Sequence, residues 1–435
     1  MPKSYSHCRS SKMRFIVLSP PDASHVFTSL FLINSLAKRH NVTYYGLKKY
    51  RDIIEESGAI FSEYPKEIEE NLLVASPYNL PDHLLSEKDH LLKNWEENKT
   101  ILSFTLADWL KNIANEYDGI VMDVTFYQRT GFTVPCITKT LNKALIGSFS
   151  YFPRLISFHI RLTPEHINTT IQNEILFHLE YDKILSKFDM HLHDISSYIV
   201  DRTVEVYYSS SYHMGGNLSA NAILIGDRHL SDLISTPTKE LQKENFVYFS
   251  LGTVVNTNIQ IFKEVIGFLS NTEYNVIVSS GGNNQISTAL QEFHSPNIEI
   301  RNFVDQISVL TEAKIFITHA GASSVYEGLY LGVPLICIPQ KFDQPMNAKR
   351  VQELGVGISI NTADNISEKL KSAFKDLEEN EEQYLQNIER VRQSFAQSNT
   401  PDEAVIAIEL LLSQISNKSA NEEKILVGDS AHPEL

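Results

Sequence analysis

The sequence predicts an α/β protein made of two doubly wound domains, each a parallel sheet covered by helices. The chain has 435 residues, more than one compact core usually holds. Short apolar runs, typical of strands buried on both faces, alternate with stretches of helical periodicity. This alternation stops in a polar, strand-poor stretch at residues 228–245, which contains Pro237, and then begins again. We therefore interpret residues 228–245 as the linker between two domains.

The first predicted domain, residues 12–227, opens with a strand at 14–20 and a helix with apolar residues at helical spacing over 25–39. A second strand is predicted at 41–47, and a helix later in the domain leads into a strand at 117–123. Ligands of parallel sheets bind beyond the carboxyl ends of the strands. Polar residues at those ends are therefore the candidates for a functional site.

The second predicted domain, residues 246–398, repeats the pattern. A helix at 399–415 follows it, and residues 416–435 have the composition of a mobile tail. Apolar runs bounded by turns predict its strands at 246–253, 274–280, 298–304, 313–319 and 334–340.

Composition excludes several classes of function. A net charge of −15 argues against a nucleic-acid partner, which requires a basic face. The three cysteines lie far apart, as expected in a reducing compartment, and suggest no metal site. The apolar run near the N-terminus is too short for a signal peptide, and no stretch is long enough to span a membrane. We therefore expect a cytoplasmic protein.

The segment "THAGASSVYEGLYLGVP", residues 318–334, predicts a turn from a strand into a helix. The first turn of such a helix presents unpaired N–H groups and the positive end of the helix dipole, which together favour an anion. His319 could donate to the same anion, and the small residues around Gly321 would let it approach the backbone. Alternatively, Ser324 and Glu327 form only a capping box, and local sequence does not decide between the two interpretations.

Two further strand ends carry suitable side chains. Phe303 and Gln306 follow one strand, and an aromatic ring there can stack on a nucleobase. Asp343 and Gln344 follow another, and their mixed donors and acceptors suit sugar hydroxyls. Together with the turn at His319, these would be three neighbouring strand ends with groups for a base, a diphosphate and a sugar.

Residues 246–358 resemble the nucleotide-sugar-binding domain of inverting UDP-glycosyltransferases with the GT-B fold, especially the bacterial macrolide-type group. The spacing agrees with the family pattern over more than forty residues. The matching positions are Phe303, Gln306, Leu310, His319, Gly321, Ser324, Glu327, Gly332, Val333, Pro334, Asp343 and Gln344. The resemblance implies two Rossmann-like domains facing across a cleft.

The resemblance also implies a role for each donor-site residue. Phe303 would stack on the base, with Gln306 nearby, and Glu327 would bind the ribose. The diphosphate would be held by His319 and Ser324, with Gly321 and Ser323 in the same turn. The residues implied for the sugar are Asp343 and Gln344, and Gly252 with Thr253 resembles the family's SLGT loop near the phosphates. The sequence departs from the pattern at Asp305, where the family has Pro, and at Ser323, where it has Asn.

The first domain matches the family less closely, with Ser24 in place of the usual Gly before His25. The resemblance implies that His25 is the general base and that Asp123 steadies its imidazolium form. A neutral imidazole can take a proton from an acceptor hydroxyl at neutral pH. The mechanism implied is a single inverting displacement without a metal or other cofactor. The alternative of a zinc site at His191 and His193 lacks a third ligand nearby.

The sequence identifies the acceptor least well. The aromatic stretch at 148–162 lies where this family builds acceptor contacts, which favours a hydrophobic, hydroxylated small molecule or a lipid-like compound, with peripheral membrane contact left open. The resemblance implies transfer of a hexose from a nucleoside-diphosphate sugar, with UDP-glucose as the expected donor, to a hydroxyl of this acceptor. Two other interpretations stay open: a catalytically degenerate GT-B protein that only binds a partner, which the changes at Ser24, Asp305 and Ser323 would permit, and a nucleotide-sugar epimerase.

Overall fold

The protein is described by a computed structural model. The described residues are 12–21, 23–74, 95–123, 126, 130, 133–149, 184–210, 218, 220–226, 245–253, 258–291, 293–341, 343–362 and 365–428. The predicted linker at 228–245, except Asn245, and most of the aromatic stretch at 148–162 lie outside these ranges.

The first sheet has seven parallel strands in the order β3-β2-β1-β4-β5-β6-β7. The strands are β1 Arg14–Leu18, β2 Asn41–Gly46, β3 Ile60–Glu63, β4 Gly119–Asp123, β5 Ala144–Phe149, β6 Thr203–Tyr207 and β7 Ala222–Leu224. The helices of this half are α1 Ala23–Arg39, α2 Arg51–Glu56, α3 Lys66–Val74, α4 Trp95–Asn112, α5 Thr133–Thr140 and α6 Leu192–Arg202, with a 3-10 turn at Lys48–Tyr50.

The second sheet has six parallel strands in the order β10-β9-β8-β11-β12-β13. The strands are β8 Phe246–Ser250, β9 Asn275–Ser279, β10 Ile298–Arg301, β11 Ile315–Thr318, β12 Leu335–Cys337 and β13 Gly357–Ser359. The helices are α7 Ile259–Leu269, α8 Asn284–Leu290, α9 Gln306–Glu312, α10 Ala322–Tyr330, α11 Gln344–Glu353, α12 Ile366–Glu379, α13 Glu381–Ala396 and α14 Pro401–Gly428. Two doubly wound sheets confirm the predicted fold class.

Each sheet separates two apolar layers because successive strand residues point to opposite faces. In β1, Phe15 and Val17 join the layer beneath α1, whereas Ile16 and Leu18 join the opposite layer. In β8, Val247 and Phe249 likewise face away from Phe246 and Tyr248. Burial on both faces explains why the strands appear in the sequence as continuous apolar runs rather than as alternating patterns.

The strand order corrects one expectation. The ends of the strands that carry Phe303, His319 and Asp343 are not three neighbours, because β10 is the edge strand and two strands separate it from β11. The chain must cross back over β9 and β8 to enter β11, and it does so through α9. This crossover brings Gln306 back toward the centre of the sheet, whereas Phe303 stays at its edge.

The C-terminal helix α14 packs on the first domain. Its buried side chains Ala404, Val405 and Ile408 belong to the same apolar layer as α1 and β1. Arg39 of α1 donates two hydrogen bonds of 2.7 Å to Glu409. The helix continues to Gly428, past the predicted end at residue 415, because residues 416–427 contain no proline or glycine to stop it.

One predicted helical stretch is divided. Residues 368–397 read as one long helix, but α12 ends and α13 begins at Asn380, whose backbone leaves the helical region at φ −117° and ψ 19°. The Asn380 backbone N–H still donates to the Asp376 carbonyl at 3.0 Å, and the side chain donates to the same carbonyl and to the Asp376 carboxylate. Such local side-chain hydrogen bonds favour asparagine at helix ends. Among the described residues, no helix is both long and apolar enough to cross a membrane.

Candidate active site

The chain order of the strands reverses at one point in each sheet, between β1 and β4 in the first and between β8 and β11 in the second. Loops that leave a parallel sheet at such a point diverge to opposite faces and leave a crevice beyond the strand ends. His25 and Asp123 lie at the crevice of the first sheet, in the first turn of α1 and at the last residue of β4. Gly252 and His319 lie at the crevice of the second, after β8 and β11.

His25 and Asp123, which are 98 positions apart in the sequence, are in contact. Nδ1 of His25 lies 3.2 Å from Oδ2 of Asp123. The carboxylate is only 3% exposed, whereas the imidazole is 16% exposed. Because Asp123 engages Nδ1, Nε2 is the ring nitrogen available to exchange a proton with a ligand in the cleft. A buried carboxylate that orients a more accessible imidazole is the arrangement expected of a general base.

Two buried phenols flank Asp123 from within the first domain. Burial raises the pKa of Tyr44 and of Tyr208, and the nearby Asp123 charge raises both further. Both phenols therefore stay protonated. Tyr44 is held by Ser29, with 3.0 Å between the hydroxyl oxygens, and Tyr208 accepts from Ser148 at 3.2 Å. Asp123 therefore lies near two phenols that are held in place by hydrogen bonds.

The His319 ring is packed between two glycine backbones. A Cβ at Gly252 would lie 2.7 Å from Nε2 and from Cε1 of the ring, and one at Gly321 would lie 2.4 Å from Nε2. Gly252 also has a φ of +76°, which favours glycine. Between the two, Ala320 has a φ of +64°, a strained value for a residue with a side chain. The chain is thus bent tightly to bring His319 to the start of α10.

Burial lowers the pKa of His319 to about 4. The ring is therefore neutral at pH 7 and carries one N–H. Nε2 lies against the backbone of Gly321, the N-cap of α10, and the first N–H groups of that helix have no partners within it. One imidazole donor and a helix N-terminus converge on the same point, which suits a phosphate.

The capping alternative for Ser324 is wrong. The helix begins at Ala322 with Gly321 as its N-cap, and no side chain caps it. Instead, Nε2 of Gln306 donates to Glu327 Oε2 at 2.5 Å and lies 3.4 Å from Ser324 Oγ. Because the Ser324 oxygen accepts from Gln306, its own hydrogen can point toward an anion at the helix start.

Phe303 lies apart from these groups and is 68% exposed. Its ring rests against the loop after β9, where a Cβ at Gly282 would lie 2.2 Å from the ring. Gly282 also has a φ of +76°, so both the lack of space for a Cβ and the backbone conformation favour glycine at this position.

Asp305, one of the departures from the family pattern, is the N-cap of α9. Its carboxylate accepts hydrogen bonds from the Ser308 backbone N–H at 3.4 Å and from the Ser308 hydroxyl at 2.5 Å.

The Asp343 carboxyl of the second domain interacts electrostatically with His25 of the first domain. Burial raises the pKa of its carboxyl, while a hydrogen bond from Asn347 and the nearby His25 act in the opposite direction. His25 belongs to the first domain and Asp343 to the second, so the two crevices face each other. The Ala322 N–H at the start of α10 also donates to Asp343.

Gln344, at the start of α11, is oriented by hydrogen bonds to its own loop. It is buried, and its side-chain oxygen accepts from the backbone N–H of Gln340 at 2.9 Å and of Lys341 at 3.1 Å. The oxygen therefore holds the loop that precedes α11 by two hydrogen bonds.

The remaining predicted residues lie at the starts of loops and helices. Thr253 is exposed beside Gly252, Ser323 lies partly exposed in the first turn of α10, and Ser24 lies in the first turn of α1.

Sequence reasoning missed Asn347. Its Nδ2 donates to the carbonyl of Ala320 at 2.9 Å and to Asp343 at 2.6 Å, and it is almost fully buried. Asn347 therefore links the strained turn at Ala320 to the Asp343 carboxylate through two hydrogen bonds. Its spacing of four residues from Asp343 on a helix was an available signal, because such residues share a face.

Tyr326 of α10 was also missed. It lies beside Ser209, just past the end of β6 in the first domain, so the helix that carries Glu327 touches both domains. His191 and His193 lie at the start of α6 rather than on a strand, and His191 is exposed.

Comparisons with known proteins agree with this architecture. Residues 228–401 match the family described as the glycosyltransferase family 28 C-terminal domain. An uncharacterized UDP-glucosyltransferase of Bacillus subtilis (strain 168), YdhE, is 25% identical over 412 residues, covering 92% of this chain and 98% of that protein.

Two solved structures have similar folds. The glycotransferase of kitacinnamycin has a TM-score of 0.69 at 18% identity, and the calicheamicin glycosyltransferase CalG4 has a TM-score of 0.66 at 17% identity. In both cases the match covers 93% of this chain and 100% of the other. The chain is therefore a glycosyltransferase with the GT-B fold, whose residues 228–401 match the glycosyltransferase family 28 C-terminal domain.

Proposed function

We propose that the protein transfers glucose from UDP-glucose, with inversion, to a hydroxyl of a hydrophobic small-molecule acceptor. The observation that carries this proposal is the opposition of His25–Asp123 in one domain to His319 and the α10 N-terminus in the other. The choice of UDP-glucose rests on the Bacillus subtilis relative, whose name describes a UDP-glucosyltransferase.

In the proposed reaction, Nε2 of His25 removes the proton of the acceptor hydroxyl, and Asp123 stabilises the imidazolium that forms. The acceptor oxygen attacks the anomeric carbon from the side of the first domain. UDP leaves toward the second domain, so attack and departure occur on opposite faces of the sugar. A single displacement of this geometry inverts the anomeric configuration.

The neutral His319, the Ser324 hydroxyl and the first turn of α10 stabilise the negative charge that develops on the leaving diphosphate. The proposed reaction uses no metal. Glu327 accepts from the ribose hydroxyls, and Phe303 stacks on the uracil. Asp343 accepts from the glucose hydroxyls. Its contact with the Ala322 N–H would rearrange when the diphosphate occupies that helix end.

Calorimetric titration with UDP, UDP-glucose, UDP-N-acetylglucosamine and dTDP-glucose tests the donor site. We expect UDP and UDP-glucose to bind, and His319→Ala to weaken both by about 10- to 100-fold, because a hydrogen bond to a charged group is lost. His191→Ala, which removes an exposed imidazole, is the matched control. Absence of binding by all four nucleotides, or equal affinity in His319→Ala, would contradict the proposal.

A further inference from the structure

Tyr248 lies beneath the proposed ribose site without belonging to any motif. It is on β8, is 1% exposed, and stacks on Phe316 with 4.9 Å between the ring centres. Its hydroxyl donates to Oε1 of Gln306 at 3.1 Å. The hydroxyls of Ser250 and Ser279, at the ends of two neighbouring strands, also contact the phenol oxygen. Two serine hydroxyls therefore contact the phenol oxygen, and the phenol hydrogen is directed at Gln306.

The direction of this hydrogen bond determines the orientation of the Gln306 amide. With its oxygen on Tyr248, the amide directs its NH2 group to Glu327 at 2.5 Å and to Ser324 at 3.4 Å. Turned by 180°, the amide would place its oxygen against the Glu327 carboxylate, and the two acceptors would repel each other. The donor from Tyr248 favours the first orientation.

We propose that Tyr248 is a positioning residue for the donor nucleotide, which acts through Gln306 to hold the Glu327 carboxylate in the orientation that accepts from the ribose. This inference rests on the proposed function, because it takes Glu327 as the ribose contact. A glutamate side chain held in advance loses less conformational freedom when ligand binds, and the affinity for ribose is correspondingly higher.

Tyr248→Phe is the sharpest test, because it keeps the stacked ring and removes only the donor. The matched control is Tyr274→Phe, which removes a hydroxyl bound to Glu378 at 2.8 Å in the same domain. Tyr274 directly precedes β9 and so lies at the opposite end of the sheet from the strand ends of the site. Calorimetry with UDP and with 2′-deoxy-UDP, which lacks one ribose hydroxyl, measures the ribose contribution for each variant.

We expect Tyr248→Phe to weaken UDP about 3- to 10-fold and 2′-deoxy-UDP by a smaller factor, because the deoxy nucleotide has only one ribose hydroxyl left for Glu327, so that the ratio of the two affinities falls toward one. Tyr274→Phe should keep the wild-type ratio. A purely structural role for Tyr248 would weaken both nucleotides equally and leave the ratio unaltered, which would overturn the inference.

A double-mutant cycle separates this inference from the proposed function. In a Glu327→Ala background, Tyr248→Phe should have no further effect on UDP affinity, because the group through which it acts is absent. An undiminished effect in that background would overturn the role of Tyr248 while leaving UDP binding intact. A wild-type protein that binds no UDP would instead overturn the proposed function, and this inference with it.

Discussion

The protonation properties of two histidines in this protein depend on the groups that surround each ring. His25 and His319 are both imidazoles at crevices, yet one contacts a buried carboxylate at 3.2 Å and the other is enclosed by glycine backbone. In the proposed reaction, the carboxylate would stabilise a positive charge on His25. Burial lowers the pKa of His319 to about 4 and so keeps that ring neutral. The environments thus separate a proton acceptor from a hydrogen-bond donor.

The base role of His25 predicts a dependence on acceptor acidity. We expect His25→Ala to lower kcat by about 10²- to 10⁴-fold with aliphatic alcohols, because these need a base to lose their proton. With an acidic phenol that is already ionised at the assay pH, the loss should be much smaller. Initial rates for a series of acceptors of graded pKa, with UDP affinity measured in parallel, check this. An equal loss across the series would argue that His25 is structural.

At the scale of elements, α10 carries Ser323, Ser324 and Glu327 of the proposed donor site, so its anchoring matters. Its C-terminal end is held by Arg392 of α13, a fully buried residue whose Nε donates to the Tyr330 carbonyl at 2.8 Å. A second nitrogen of the guanidinium donates to Glu389 at 2.8 Å. A cation at a helix C-terminus interacts favourably with the helix dipole. The two ends of α10 are thus complementary, since one binds Arg392 and the other is suited to an anion.

This anchoring predicts a stability effect. Arg392→Met keeps much of the side-chain volume but leaves the Tyr330 carbonyl without its guanidinium donor, so we expect the free energy of unfolding to fall by about 2–4 kcal/mol. Arg390→Met on the same helix changes an exposed residue and should stay within about 0.5 kcal/mol of wild type. Urea denaturation measures both. Equal stability of the two variants would show that Arg392 does not anchor α10.

At the scale of the whole molecule, catalysis requires the two crevices to stay opposed. Close to the start of α14, Asn399 pairs with Ile225 beside the first sheet, and Ser210 contacts Ser394 of α13 at 2.6 Å. The helix α14 then packs along α1, the helix that carries His25. The relative position of base and donor site therefore depends on this helix as well as on the predicted linker.

Removing α14 tests that dependence. We expect a chain that ends at Thr400 to lose on the order of 100-fold in turnover, because small displacements of reacting groups are costly. Its UDP affinity should change much less, since the proposed nucleotide contacts all lie in the second domain. A chain that ends at Gly428 serves as the control. Unchanged turnover in the shorter chain would contradict this view of the architecture.

The sequence was most informative where the relevant physics is local. Apolar runs and helical spacing predicted the fold class, the helix that carries His25 and the strands that end at Asp123 and just before His319, because burial leaves a direct pattern in the chain. The turn from β11 into α10 could be identified for the same reason. The break at Asn380 was missed because it depends on the backbone conformation of a single residue, which leaves no periodic pattern in the chain.

By itself, then, the sequence determined the two-domain α/β organisation and the resemblance to glycosyltransferases, and it supplied the residues proposed to bind a nucleotide sugar. Only the tertiary structure decided that β10 is an edge strand, that Gln344 turns into its own loop, and that Tyr248 and Asn347 brace the site from beneath. These facts are contacts between segments far apart in the chain or the direction of a single side chain. Neither leaves a periodic signal, because both are set by packing after the strands have taken their order.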